Sequence, residues 1–314
     1  MRIILFASPG ILGPFILATL IQLKENIQYV VIPTAQHSIP PTELLALAKT
    51  AGVEVLAPED IASKDFSATL KAANPDLIIV ATFDKKIPVS IINLPRLGAF
   101  NIHSSFLPQY RGPCPEFWVI RNGEQEAGVS IHYLSDEFDT GAIIVQKKVS
   151  IAYSDTVGVL LYNLAMTAAQ LLMQVLVKFN KGEKVEGVPQ DESLASYAPL
   201  VQPSDLQIDW YQSAETLYNL IRAANPVGGA WTLFRGYQMK VWHALQIDAV
   251  RAQNVKDTTM KPGTVYVLAE QKQLIVRTGD SFLELKVVQP ALYYTVDAWS
   301  FKEKSLVKNG ELLG

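Results

Sequence analysis

The chain has 314 residues, 49% of them hydrophobic and 18% charged, a composition that buries a core and excludes a disordered or solvating polymer. A formal net charge of -3 excludes an overall basic field that draws in nucleic acid, and the single cysteine, Cys114, excludes an internal disulfide framework or a cysteine-built metal site. At roughly 150 residues per domain, the length predicts two domains.

The chain opens on an apolar run at residues 3–6 that reads as a buried strand. The run as far as Leu23 is interrupted by Ser8, Pro9, Gly10, Gly13 and Pro14 and lacks the small-residue cleavage site of a signal peptide. No stretch of about 18 or more uncharged apolar residues is read, so a membrane segment is not expected and a cytoplasmic location is. Strand-like runs at 29–32, 53–56, 77–80 and 99–102 alternate with helix-like segments near 14–24, 42–51, 64–73 and 88–93. Such alternation predicts a parallel sheet with crossover helices on both faces.

After residue 125 two strand-like runs, 128–134 and 141–149, follow each other closely and predict an antiparallel edge, and a helical pattern then runs from about 156 to 179. The polar stretch from Asn180 to Ser193 reads as a connector and places a domain boundary near 182–204. Beyond it come one helix over 214–224 and five short strands at 230–234, 238–247, 263–268, 272–277 and 282–288, the pattern of a small barrel or sandwich.

Three segments invite a chemical reading. Ser8-Pro9-Gly10-Ile11-Leu12-Gly13 follows a strand and opens a helix, but without the full G-x-G-x-x-G spacing it reads as an ordinary turn rather than a dinucleotide site. Asp139-Thr140-Gly141 matches the aspartic-protease tripeptide, yet there is one copy and two carboxylates must share the proton. Asn101 and His103 lie two apart at a strand end, which puts an amide and an imidazole on one face at the carboxyl edge of the sheet, where open α/β folds bind ligands. His37, His132 and His243 are read as lacking carboxylate or cysteine partners at ligand spacing, so no metal is expected.

The run Asn101-x-His103-x-Ser105-Phe106-Leu107-Pro108-x-x-Arg111-Gly112, followed by Asp139-Thr140-Gly141, resembles the 10-formyltetrahydrofolate-dependent formyltransferases. The resemblance extends through Pro95-Arg96-Leu97-Gly98, Gly123-Glu124, Ile208-Asp209-Trp210, Ile221-Arg222-Ala223 and Asn225-Pro226, and is nearest to the branch acting on methionyl-tRNA. It implies a doubly wound, mostly parallel α/β catalytic domain over residues 1–203 and a smaller OB-like β-barrel domain over 204–314. It also implies transfer of a formyl group from 10-formyltetrahydrofolate to a primary amine without a metal.

In that reading Asn101 stabilises the oxyanion, His103 carries the proton and Asp139 orients the imidazole. The resemblance implies folate contacts at Lys86, Ile87, Val89, Ser105, Leu107, Pro108, Thr140 and Gly141, and substrate contacts at Ser8, Gly10, Arg111 and Gly112. Ile87 and Val89 read equally well as core; Asp139 alone would read as a turn residue bonding its own loop, but with the spacing from His103 the catalytic reading is the better one.

Two departures bear on the acceptor. The tRNA-acting branch carries a basic insertion after the second strand, whereas residues 32–41 contain no lysine or arginine; near the end, Tyr293-Tyr294 stand where that branch has lysines. Initiator methionyl-tRNA is the first expectation, a nucleotide-linked amino sugar the second, and water, making the protein a hydrolase, a third. A non-catalytic RNA-binding module is disfavoured by the net charge. The protein is expected to be a monomer or homodimer.

Overall fold

In the computed structural model, which describes residues 1–34, 43–247 and 260–314, the first apolar run is strand β1 (Arg2–Ala7). Ile3, Ile4, Leu5 and Phe6 are all fully buried, so both faces of the strand are covered, as a run without polar alternation requires. The chain divides into two units: Met1–Pro115, Glu126–Ser150 and Leu160–Pro199 form the first, and Glu116–Gln125, Ile151–Val159 and Leu200–Gly314 the second.

The first unit alternates as its sequence predicts: α1 (Leu12–Gln22), β2 (Asn26–Val31), α2 (Glu43–Thr50), β3 (Glu54–Leu56), α3 (Lys64–Ala72), β4 (Leu77–Ala81), α4 (Val89–Ile92) and β5 (Ala99–His103). Two further strands, β6 (Glu126–Tyr133) and β7 (Ile143–Ser150), complete a sheet of order β3-β2-β1-β4-β5-β6-β7. The first five strands run parallel; β6 and β7 are antiparallel, so the sheet has the expected hairpin edge. One face buries Ile4, Phe6, Phe66, Leu70, Ile78, Val80 and Ile91 in a single cluster. Ser63 starts α3 by accepting a hydrogen bond from the Phe66 N–H at 3.3 Å.

The long helical pattern becomes α6 (Val157–Asn180), preceded by α5 (Pro115–Arg121), which the sequence reading did not foresee. By length and composition α6 could cross a membrane, which corrects the expectation that no such stretch exists. Half of its most apolar window is buried, with Leu160, Leu164, Ala168, Leu171 and Val175 along one side, the spacing of a core helix.

The second unit contains α7 (Ala214–Ala223) and strands β8 (Ala230–Phe234), β9 (Tyr237–Gln246), β10 (Val265–Leu268), β11 (Gln273–Arg277) and β12 (Phe282–Pro290). β13 (Val296–Asp297) and α8 (Ala298–Ser305) were not anticipated. The antiparallel order is β10-β11-β12-β9-β8, with β13 on β12. The carboxyl-terminal tail spans the two edge strands: Gly314 N–H donates to Leu233 O at 3.0 Å and Leu313 N–H to Gly263 O at 2.9 Å. Bridges Phe234 to Leu313 and Thr264 to Leu312 thereby close the sheet into the expected small barrel.

Residues 182–199 are more than a connector. Val188 and Ile143 exchange two backbone hydrogen bonds of 2.8 Å, and Arg111 pairs with Tyr197, so this segment lies on the first unit. His37 and most of the lysine-free segment 32–41 fall outside the described residues.

Candidate active site

Register brings the chemistry together. Asn101 pairs with His132 across β5 and β6, and His103 with Ser130, so the end of β5 presents an amide and an imidazole beside a second imidazole. Asp139 arrives on the turn joining β6 to β7, at φ 58°, a left-handed conformation that aspartate tolerates better than most residues. Gly141 is required two positions later, since a Cβ there would lie 1.7 Å from the Tyr133 carbonyl oxygen.

The Asp139 carboxylate is the hub. Oδ2 accepts from the Gly112 N–H at 2.9 Å, and Oδ1 accepts from Asn101 Nδ2 at 3.2 Å and lies 3.5 Å from His103 Nδ1. Gly112 reaches this position at φ 107°, and a Cβ there would sit 2.7 Å from the Ala198 carbonyl. Burial raises the carboxyl's pKa, but the Gly112 N–H and the positive charge that His103 and His132 present whenever they are protonated outweigh it and hold Asp139 below the usual carboxylate range.

His103 is buried, and its Nε2 lies 3.0 Å from the Tyr110 carbonyl, an acceptor only, so Nε2 carries the hydrogen. The bare nitrogen is Nδ1, facing Asp139. Burial pulls the imidazole's pKa down more strongly than Asp139 pulls it up, which leaves a neutral base whose protonated form has an ionised carboxylate beside it.

His132 was read from sequence as having no carboxylate partner, and the structure corrects this: its Nε2 is 3.6 Å from Asp139 Oδ1 and 3.3 Å from Asn101 Nδ2. Its Nδ1 lies 2.9 Å from the Tyr133 carbonyl and therefore donates, leaving Nε2 to accept from Asn101. Both amide hydrogens of Asn101 are thus engaged in this state. The signal lay in strand pairing: once β6 is antiparallel to β5, His132 must face Asn101.

The other expected residues divide. Ser105, Leu107 and Ser130 form a buried turn in which Ser130 Oγ donates to Ser105 O at 2.8 Å and accepts from the Leu107 N–H at 3.0 Å. Pro108 follows Leu107, and Gln146 Nε2 donates to the Leu107 carbonyl at 3.0 Å. Thr140 Oγ1 donates to Glu137 O at 3.1 Å within the Asp139 turn. Ile87 belongs to the core cluster, whereas Val89 is half exposed and Lys86 lies on the surface near Asp136 and Glu137 at 3.5 and 3.8 Å. Gly10 has open space around it, and the buried Ser8 hydroxyl has no partner among the described residues. Arg111 is not left for a substrate: it forms a two-pronged pair with Glu192 at 2.7 and 2.8 Å and also donates to Gln190 Oε1. No group of three or more metal-ligating side chains occurs among the described residues.

An amide donor, a neutral imidazole and an ionised carboxylate on one edge of a mostly parallel sheet are the equipment of acyl transfer. Residues 20–176 match the family model described as formyl transferase, and residues 200–305 match the formyl transferase C-terminal domain. A methionyl-tRNA formyltransferase of Halothermothrix orenii is 33% identical over 278 residues, covering 88% of this chain and 87% of that protein. Among solved structures, HypX from Aquifex aeolicus in complex with tetrahydrofolic acid superposes with a TM-score of 0.67 at 18% identity, over 98% of this chain and 48% of that one. WlaRD, a sugar 3N-formyl transferase, gives 0.67 at 18% identity over 94% and 99%. The chain belongs to the formyl transferase family and is a formyltransferase enzyme.

Proposed function

We propose that the protein transfers the formyl group of 10-formyltetrahydrofolate to the α-amino group of initiator methionyl-tRNA, with Asn101, His103 and Asp139 as the reacting groups. The observation that carries this reading is the bare His103 Nδ1, 3.5 Å from the ionised Asp139 carboxylate, beside an amide donor. As the amine attacks the formyl carbon, the carbonyl oxygen gains negative charge, and Asn101 meets it by releasing one of its two present acceptors. His103 takes the amine proton on Nδ1, where Asp139 stabilises the imidazolium, and returns it to N10 of the departing folate.

Residues 1–203 are the catalytic domain in this reading and residues 204–314 the barrel domain, in a cytoplasmic enzyme that is a monomer or homodimer. The folate lies along the carboxyl edge of the sheet, with half-exposed Val89 as apolar surface and the Leu107-Pro108 and Thr140-Gly141 backbones beside it. At the carboxyl end of β1, two strands from β5, the open space at Gly10 leaves room for the acceptor. The names of relatives such as the Halothermothrix orenii enzyme support the tRNA acceptor.

A nucleotide-linked amino sugar is favoured by one observation. Tyr293 and Tyr294 are exposed at 71% and 89% where tRNA-acting relatives are expected to carry lysines, and aromatic rings stack on a base or sugar without neutralising phosphate. Incubation with 10-formyltetrahydrofolate and either acceptor, following folate deformylation, tests both. Formylated methionyl-tRNA is expected; a formylated amino sugar alone replaces the acceptor, and folate consumed without either makes water the acceptor.

A further inference from the structure

The segment that leaves α6 returns to the catalytic turn and holds it. Tyr110 N–H donates to Ser196 Oγ at 2.9 Å, Arg111 N–H to Ser196 O at 2.9 Å, and Ala198 N–H to Arg111 O at 2.6 Å. Between this anchor and the Val188 bridge stands Gln190, whose side-chain amide is fully used. Nε2 donates to the carbonyl oxygens of both Asp139 and Gly141, each at 2.8 Å, while Oε1 accepts from Arg111 Nη2 at 2.7 Å and Nε at 3.2 Å. Glu192 then fixes the same guanidinium from the other side.

No other side chain meets these demands at this length. The two carbonyls need two N–H groups on one atom, and the guanidinium needs an acceptor on the opposite end. Glutamate satisfies Arg111 but presents no donor to the carbonyls, and asparagine is one methylene short. Arg111 cannot reach the carbonyls itself, because its nitrogens are taken up by Gln190 and Glu192.

We propose that Gln190 is a positioning residue for proton transfer: by clamping the main chain on both sides of Thr140, it sets the Asp139 carboxylate between Asn101 and His103. This rests on the reading of His103 and Asp139 as the proton-handling pair. Asp139 is then fixed twice, at its side chain by the Gly112 N–H and at its backbone by Gln190. The clamp bears on a turn that holds Asp139 at φ 58°, a left-handed conformation sparsely populated outside glycine. His103 feels two titratable neighbours in this arrangement, Asp139 at 3.5 Å and His132 beyond the ring edge, while the Arg111 charge acts on Asp139.

The test compares Gln190→Ala and Gln190→Glu with wild type in steady-state kinetics and in the titration of His103 followed by NMR on the free enzyme. By analogy with the loss of a partner that orients a metal-ligating side chain, kcat is expected to fall by roughly 10- to 100-fold, with a smaller rise in KM for the folate, since the Gly141 carbonyl beside it loses one of its anchors. Asp139 raises the His103 pKa, so its displacement moves the His103 titration, and the acid limb of kcat with it, to lower pH. Gln190→Glu, which keeps the Arg111 partner, is expected to behave as Gln190→Ala does. Wild-type kcat and titration in both variants overturn the proposal, as does a lower kcat with the His103 titration unmoved, which marks a purely structural loss. If Gln190→Ala does not fold, Gln190→Glu decides by the same two readouts, and Glu192→Gln, leaving both carbonyl bonds in place, is expected to leave the titration unmoved. If wild type consumes no 10-formyltetrahydrofolate, the function fails, while the NMR titration still decides whether Gln190 sets the His103 environment.

Discussion

Two histidines, one in each unit, lose basicity for the same reason and end in different chemical situations. His103 and His243 both have pKa values lowered first by burial. Around His243 the Lys286 charge lowers it further and Glu284 only partly offsets this, and its cavity of about 340 Å³ is lined by Arg222, Tyr218, Trp242, Ser154 and Thr156. Around His103 an ionised aspartate stands at 3.5 Å, itself held by two N–H donors. Desolvation by itself makes a neutral imidazole; a fixed carboxylate makes it a base whose conjugate acid is stabilised where it forms.

The sharpest way to break this contrast is to neutralise the carboxylate. Asp139→Asn is expected to lower kcat/KM by about 10³-fold or more, within the range for a general base deprived of its partner, with a melting curve near wild type; near-native turnover removes Asp139 from the reaction. Asn101→Ala comes next, at about 10²- to 10³-fold for one lost oxyanion donor, read in kcat with folate binding unchanged. In both cases the matching change in the other unit, His243→Gln, is expected to leave kcat with the folate donor within about twofold, since the nearby Glu284 carboxylate is paired with Lys286 at 2.8 Å instead of serving the imidazole.

The pH profile sharpens the same contrast. The base works neutral, so the rate falls as pH drops through its pKa; because burial lowers the His103 pKa, that fall is expected below the ordinary imidazole value of about 6.5. An acid limb above that value, measured on kcat/KM, contradicts the burial argument. The smallest effect is on stability. Burial pushes the Glu116 carboxyl up to about 7 from its ordinary 4.5, so the folded state prefers it protonated. Its stability contribution is intact below pH 4.5 and is lost as pH rises through about 7, so Glu116→Gln is expected to stabilise the protein at pH 8, by roughly 3 kcal/mol at most, and not at pH 4. Chemical denaturation at the two pH values checks it.

Much of this was legible before any fold was drawn. Period and punctuation placed all five parallel strands, the hairpin edge and five of the six barrel strands, because a strand buried on both faces has to be a continuous apolar run and a turn has to be polar or glycine-rich. The Asn101-x-His103 spacing determined that amide and imidazole share a face, and Asp139-Thr140-Gly141 that a carboxylate sits on a tight turn.

Other features needed the tertiary structure. His132 becomes a neighbour of Asp139 only through the antiparallel register of β5 with β6, Arg111 turns from an expected substrate contact into part of the Gln190 and Glu192 network, and a stretch read as a polar connector becomes the clamp on the catalytic turn. The barrel closes through the terminal residues Leu312, Leu313 and Gly314, which carry no strand pattern of their own. In each case the deciding interaction joins groups far apart in sequence, and the pairing of distant backbones, unlike local period or turn chemistry, leaves no mark in the order of neighbouring residues.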